Sequence, residues 1–211
     1  MLVRMDWLPI SAAMLLTGIL ALCLGSFLLP SGDDTADTLR IVQEQGGQWL
    51  AVAVIFFLSA VFLTLGLPSV LTLLPSRGRT LGLISGVVLE FGFIGTAGVA
   101  MLMVFIRSLV VTDALAPNGL EDAVSETGIS VFLSVWVAGF YLGELLLGIA
   151  LLRAGSVPRW VPVALILHVL TFPLSNVLPE VVSKATVLLM VVGFAGIAIQ
   201  ATSPQHRRRF T

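Results

Sequence analysis

Apolar residues follow one another along this chain in six long runs, and short polar segments separate the runs. The runs cover residues 7–29, 48–74, 81–111, 129–152, 160–178 and 185–201. A helix needs about 20 mostly apolar residues to cross a bilayer. The pattern therefore predicts an all-α polytopic integral membrane protein, in which residues 1–211 form a single transmembrane domain built as a six-helix bundle.

Composition agrees with this prediction. Of the 211 residues, 57% are hydrophobic and only 11% are charged, and the mean hydropathy is +1.06. An average soluble domain has about 25% charged residues. The polar segments leave no room for a separate soluble domain, so we expect membrane lipid to contact most of the protein surface. The lone cysteine, Cys23, excludes an internal disulfide.

Basic residues predict the orientation, because short cytoplasmic loops accumulate Lys and Arg. One set of polar segments holds Arg4, Arg77, Arg79, Arg153, Arg159, Arg207, Arg208 and Arg209. The alternate set holds only Arg40 and Lys184 and carries most of the acids. Both termini are therefore predicted to be cytoplasmic. Three terminal arginines are too few to indicate a nucleic-acid partner, and we interpret them as a topology anchor.

The two longest outer segments, residues 31–47 and 113–128, are rich in Gly and acidic residues and show no strand alternation. We interpret both as solvated connectors. The second is also compatible with a short amphipathic segment on the membrane surface.

Small residues on two of the runs indicate helix contacts, since membrane helices associate through close packing of small side chains. Gly82 and Gly86 are four residues apart, and the same step leads on to Glu90. On the fourth run, Gly139 and Gly143 precede Glu144. Residues four apart share a helix face, so we expect Glu90 to face a neighbouring helix rather than lipid.

Three ionisable residues on three runs are predicted to lie at one depth. At 1.5 Å per residue, Glu90 lies about 15 Å from the cytoplasmic boundary, Glu144 about 13 Å and His168 about 12 Å. A charge near mid-membrane costs at least about 2.5 to 3.5 kcal/mol. Two carboxylates at one level would repel, so at least one is expected to be protonated or paired with the imidazole. The three residues are our candidate catalytic set.

Other side chains on the same runs are candidate substrate-binding residues. They are Tyr141, Thr171, Asn176, Trp136 and Phe93. Aromatic faces near an acid could stabilise a cationic intermediate. Pro173 is expected to bend the fifth run beside His168 and open a cavity there.

These residues support three hypotheses about function, which the sequence leaves open. The first is an intramembrane enzyme that uses acid–base chemistry to cyclise or isomerise a lipophilic, isoprenoid-like small molecule. The second is a proton-coupled transporter or channel component, in which the same glutamates relay protons. The third is a non-catalytic accessory membrane subunit, in which they only hold helices together.

No motif in the chain indicates a cofactor. It has no HExxH, Walker loop, nucleophile elbow or dinucleotide fingerprint. Two glutamates and one histidine on separate helices also lack the Glu-x-x-His spacing of di-metal bundles. We therefore predict neither a metal nor an organic cofactor.

The segment YLGELLLGIALLRAGSVPRWVPVALILHVL, residues 141–170, carries a family resemblance. A Gly-rich helix ends in Leu-Leu-Arg, and after a small-residue turn Pro158, Arg159 and Trp160 open the next helix. This arrangement resembles a family of bacterial, largely actinobacterial, integral membrane proteins known as domain of unknown function 4386. The resemblance implies a membrane fold in the bacterial cytoplasmic (inner) membrane, and it transfers no site residues.

Overall fold

The structure is a computed structural model, and it describes residues 7–30, 32, 34–75, 77–114, 119–174 and 180–204. These residues form α-helices and one 3-10 turn, with no strand among them. The helices are α1 (Trp7–Leu28), α2 (Thr35–Glu44), α3 (Gly46–Thr72), α4 (Arg79–Val111), α5 (Gly119–Ser125), α6 (Thr127–Ala154), α7 (Trp160–Thr171) and α8 (Glu180–Ala201). The 3-10 turn, Phe172–Leu174, directly follows α7.

Five described helices, α1, α3, α4, α6 and α8, are long and apolar enough to cross a membrane. Their surfaces expose many large apolar side chains, among them Val87, Ile94 and Met101 at about 60% each. Such a surface is stable in lipid and not in water. The all-helical architecture is confirmed, and this set of helices indicates a multi-pass membrane protein.

The fifth apolar run differs from its predicted extent. Its α-helix ends at Thr171 instead of continuing to residue 178, and Pro173 lies in the 3-10 turn that follows. Proline lacks the N–H that continues a helix and restricts the residue before it. The apolar helix with its turn spans only Trp160–Leu174. Residues 175–179 lie outside the described residues.

Both outer segments contain a helix, which corrects the interpretation of the first as a plain connector. In α2, Asp34 accepts a hydrogen bond from the backbone N–H of Asp37 at 2.7 Å and caps the helix. Ile41 and Val42 are buried, so α2 packs its apolar face onto the bundle, where it contacts α4. The second segment holds α5, with Leu120 buried.

The six longer elements form a closed ring. Each of α1, α3, α4, α6, α7 and α8 packs against the next in that order, and α8 returns to pack against α1. The end of the ring near Arg79 and Arg153 is filled by fully buried side chains such as Leu15, Leu147 and Phe194. The opposite half, toward α2 and α5, encloses a cavity.

Close helix crossings support the ring at positions where a side chain would not fit. A Cβ atom on Gly143 of α6 would lie 2.7 Å from the backbone nitrogen of Leu89 on α4. Beside this crossing, the Ser85 hydroxyl donates a hydrogen bond of 3.0 Å to the carbonyl oxygen of Gly143. The α4–α6 contact therefore fixes the part of α6 that carries Glu144.

Candidate functional site

Glu144 of α6 and His168 of α7 form a buried pair. The Oε2 atom of Glu144 lies 2.7 Å from Nδ1 of His168. Glu144 is 0% exposed and His168 is 4% exposed. The structure therefore brings two of the three candidate catalytic residues into hydrogen-bonding contact.

The short connection between α6 and α7 explains this contact. Gly155 ends α6 with a φ of +60°, and α7 begins at Trp160, so the two helices run antiparallel. Glu144 precedes the turn by about as many residues as His168 follows it, which puts both at one level. Gly148 allows close approach, because a Cβ there would lie 3.2 Å from the carbonyl oxygen of Pro162.

The pair can hold one proton in two ways. Either the carboxylate faces an imidazolium, or the carboxylic acid donates to a neutral imidazole. A buried carboxylate without a partner would be strongly unfavourable, so the imidazole stabilises Glu144 in this apolar setting. The other oxygen, Oε1, is buried and has no hydrogen-bond partner among the described residues. A buried unsatisfied oxygen is uncommon in folded proteins.

His168 also lines a central cavity of about 430 Å³. We use the name central cavity for this partly open space, which is lined by side chains from α1, α3, α4, α6, α7, the 3-10 turn and α8. Its lining is mostly apolar and aromatic, with Trp49, Phe56, Trp136, Phe140, Tyr141 and Phe172 among its residues. Small-molecule sites are typically concave, apolar and of this size, with a few polar groups that orient the ligand.

The polar groups of the lining are mostly engaged with the protein itself. Trp49 donates from Nε1 to the carbonyl oxygen of Met103 at 2.9 Å, and Trp136 donates from Nε1 to Thr96 Oγ1 at 3.0 Å. The hydroxyls of Thr96 and Ser26 donate to carbonyl oxygens of their own helices. By contrast, no described residue hydrogen-bonds to Nε2 of His168. His168 and the phenol of Tyr141 are therefore the titratable side chains among the described residues that line the cavity.

Tyr141 stacks against this histidine. Its ring centroid lies 5.6 Å from that of His168, with 29° between the planes, and 4.0 Å from that of Phe172. Tyr141 and Trp136 thus line the central cavity, as expected of substrate-binding candidates.

The remaining substrate-binding candidates lie elsewhere. Phe93 is fully buried and packs edge-on against Phe140 with centroids 6.0 Å apart, behind the cavity lining. The Thr171 hydroxyl donates to the carbonyl oxygen of His168 at 2.6 Å, so it is engaged with the helix backbone. Asn176 lies outside the described residues.

Glu90 is not brought to the Glu144–His168 pair. Its Oε1 atom accepts a hydrogen bond from the Thr64 hydroxyl of α3 at 2.8 Å, and its buried Oε2 has no partner among the described residues. Leu89 is the α4 residue that meets α6 at Gly143. The next residue is rotated by about 100° around a helix with 3.6 residues per turn. Glu90 therefore faces α3, and it does not line the central cavity.

Sequence reasoning missed several lining residues, chiefly Trp49, Phe56 and Phe172. Each is an aromatic residue within or beside an apolar run, where the pattern does not distinguish a cavity from lipid or packed core. Among the described residues, no cluster of three or more His, Cys, Asp or Glu side chains could hold a metal ion.

Comparisons with known proteins found no match for this chain among protein-family models, curated proteins or solved structures.

Proposed function

We propose that this protein binds a lipophilic small molecule in the central cavity and transfers a proton to or from it through His168. The observation that carries the proposal is the 2.7 Å contact between Glu144 Oε2 and His168 Nδ1, with His168 lining the apolar cavity. In this proposal His168 is the general acid or base, and Glu144 orients the imidazole and stabilises its protonated form.

The aromatic lining supports a reaction with a cationic intermediate. Ring faces attract positive charge, and the attraction is stronger in a site that excludes water. Protonation of a carbon–carbon double bond followed by proton loss from a neighbouring carbon isomerises an alkene. Attack of a second double bond on the cation instead forms a ring. An isoprenoid-like substrate, with regularly spaced double bonds, fits this chemistry.

Membrane placement is part of the same proposal. We infer six membrane segments, with α7 and its turn as the short one, and both termini in the cytoplasm. Arg79, Arg153 and Arg159 lie at one end of the ring, while the acidic α2 and α5 lie at the other. This charge distribution supports a cytoplasmic position for the arginine end. We further propose a location in the bacterial cytoplasmic membrane and membership of the domain of unknown function 4386 family, on the basis of residues 141–170.

Deuterium transfer tests the chemistry even while the substrate is unidentified. The protein is reconstituted with a bacterial lipid extract in D₂O, and mass spectrometry measures the deuterium that appears in lipid carbon positions. We expect protein-dependent incorporation that falls about 100-fold or more in His168→Asn and Glu144→Gln, the range of general acid–base effects. Glu90→Gln is the matched control and should stay within about threefold of wild type, because Glu90 does not line the cavity.

Two results would contradict the proposal. One is an absence of incorporation above protein-free membranes. The other is a loss in Glu90→Gln as large as the loss in Glu144→Gln.

A further inference from the structure

A second depression of about 800 Å³ lies on the lipid-facing side of α6 and α7. We call it the lipid-side groove. Its apolar lining includes Ala138, Leu142, Val169 and Leu170, and Leu142 and Leu170 are more than half exposed. In a membrane protein, a groove on this surface is in contact with lipid chains.

Only a thin partition separates the lipid-side groove from the central cavity. Val137, Tyr141 and Phe172 line both spaces. The Tyr141 and Phe172 rings, two of these three shared side chains, lie 4.0 Å apart by their centroids. Phe172 is 43% exposed and sits in the 3-10 turn after α7, so its ring can rotate outward without moving a helix. Side-chain rotation alone would therefore join the two spaces.

The size of the central cavity limits what it can enclose. A methylene group occupies about 30 Å³, close to the volume of a water molecule in the liquid. A volume of about 430 Å³ therefore corresponds to a chain of about 14 carbons. Typical membrane hydrocarbon chains are longer. A long chain can reach His168 only if part of it remains outside the cavity.

We propose that the central cavity and the lipid-side groove together bind one linear hydrocarbon chain, which passes between Tyr141 and Phe172. The substrate class is a single-chain lipid longer than about 14 carbons, which enters sideways from the bilayer. Tyr141 also stacks on His168. The segment of the chain that crosses the partition therefore lies beside the acid–base group. This inference rests on the proposed function, since it identifies the substrate class of the same site.

Tryptophan fluorescence can report on the occupant of the central cavity. Of the four tryptophans in the chain, Trp49 and Trp136 line the cavity, and Trp7 and Trp160 are exposed elsewhere. In a Trp7→Phe/Trp160→Phe background, a brominated linear alcohol shorter than about 14 carbons should quench the two remaining tryptophans. The protein is held in lipid nanodiscs. Unbrominated alcohols shorter and longer than about 14 carbons are then added to displace the brominated alcohol.

We expect the concentration of the longer alcohol that gives half-maximal displacement to lie within about threefold of that of the shorter one. The reason is that a hydrocarbon tail has nearly the same free energy in an apolar groove as among lipid chains. Ala138 lines the lipid-side groove and not the central cavity, and Ala138→Phe fills the groove without adding a tryptophan to the fluorescence signal. It should weaken competition by the long alcohol at least about tenfold and leave the short alcohol unaffected. Ala51→Phe, the same change at an exposed position of α3 outside both spaces, should behave as wild type.

The inference is overturned if the short alcohol does not quench, if the long alcohol fails to compete in the wild-type background, or if Ala138→Phe affects both lengths alike. The deuterium experiment separates this inference from the proposed function. If the alcohols compete with the expected dependence on chain length but no deuterium is transferred, the proposed chemistry is rejected and the proposed binding site is supported. If deuterium is transferred but the long alcohol does not compete, the proposed chemistry is supported and the long-chain binding site is rejected.

Discussion

Glu90 and Glu144 are the same residue type and lie beside one helix crossing, where Leu89 meets Gly143, yet they lie in different surroundings. Glu144 is fully buried against His168 and stands directly behind the central cavity. Glu90 is half-buried between α3 and α4, where Thr64 is its hydrogen-bond partner. Position along the helices therefore does not define a site. The helix face, and hence the partner, decides what each carboxyl group can do.

The two partners differ in proton chemistry. A threonine hydroxyl can donate a hydrogen bond to a carboxyl group, but it does not take up a proton near neutral pH. An imidazole does so readily. The Glu144–His168 pair can therefore exchange a proton with a ligand through His168, whereas Glu90 is hydrogen-bonded to a hydroxyl and does not line the central cavity.

The largest expected difference between the two glutamates is the loss of stability when the hydrogen-bond partner of each is removed. His168→Leu leaves Glu144 buried without its imidazole and should lower the free energy of unfolding by about 2 to 4 kcal/mol. Thr64→Val removes one hydrogen bond to a less buried carboxyl group and should cost about 0.5 to 1 kcal/mol. Unfolding in mixed micelles measures both.

A double variant checks the cause of this difference. Glu144→Leu/His168→Leu removes both polar groups and should recover most of the loss caused by His168→Leu alone. The comparison fails if His168→Leu costs no more than Thr64→Val.

The next largest difference is expected when a glycine near each glutamate is replaced by alanine. A Cβ on Gly143 would lie 2.7 Å from a backbone atom of Leu89, so Gly143→Ala must displace α4 from α6. We expect a loss of about 1 to 3 kcal/mol. A Cβ on Gly86 would lie 3.3 Å from Leu71 Cδ2, the mobile end of a side chain. Gly86→Ala should range from neutral to a gain of about 1 kcal/mol, since Ala favours a helix over Gly. Equal losses in the two variants would contradict this account of the crossings.

Much of the fold follows from hydrophobic run length. The bounds of α1, α3, α4 and α6 agree with the predicted runs to within two residues at each end, because long apolar runs have few alternative structures. The early end of α7 depends on the local effect of Pro173. In α2, the buried residues Ile41 and Val42 are two adjacent apolar positions in an otherwise mostly polar segment, too few to distinguish a helix from a connector by sequence pattern.

The site was only partly predictable. Equal distances from a short turn place Glu144 and His168 at one level, and this follows from helix rise alone. Which way Glu90 faces depends on how α4 is rotated by its crossing with α6 at Gly143. That rotation is a property of the assembled ring, and no single run determines it.

The most direct test of the central claim is the histidine NMR signal of the intact protein. The chain has two histidines, His168 and His206. Selective ¹⁵N labelling therefore gives a simple spectrum, and a His206→Gln variant assigns it. We expect Glu144→Gln to shift the Nδ1 resonance of His168 and Glu90→Gln to leave it in place. An Nδ1 resonance that is unchanged by Glu144→Gln, or equally shifted by Glu90→Gln, would contradict the buried pair on which the proposed function depends.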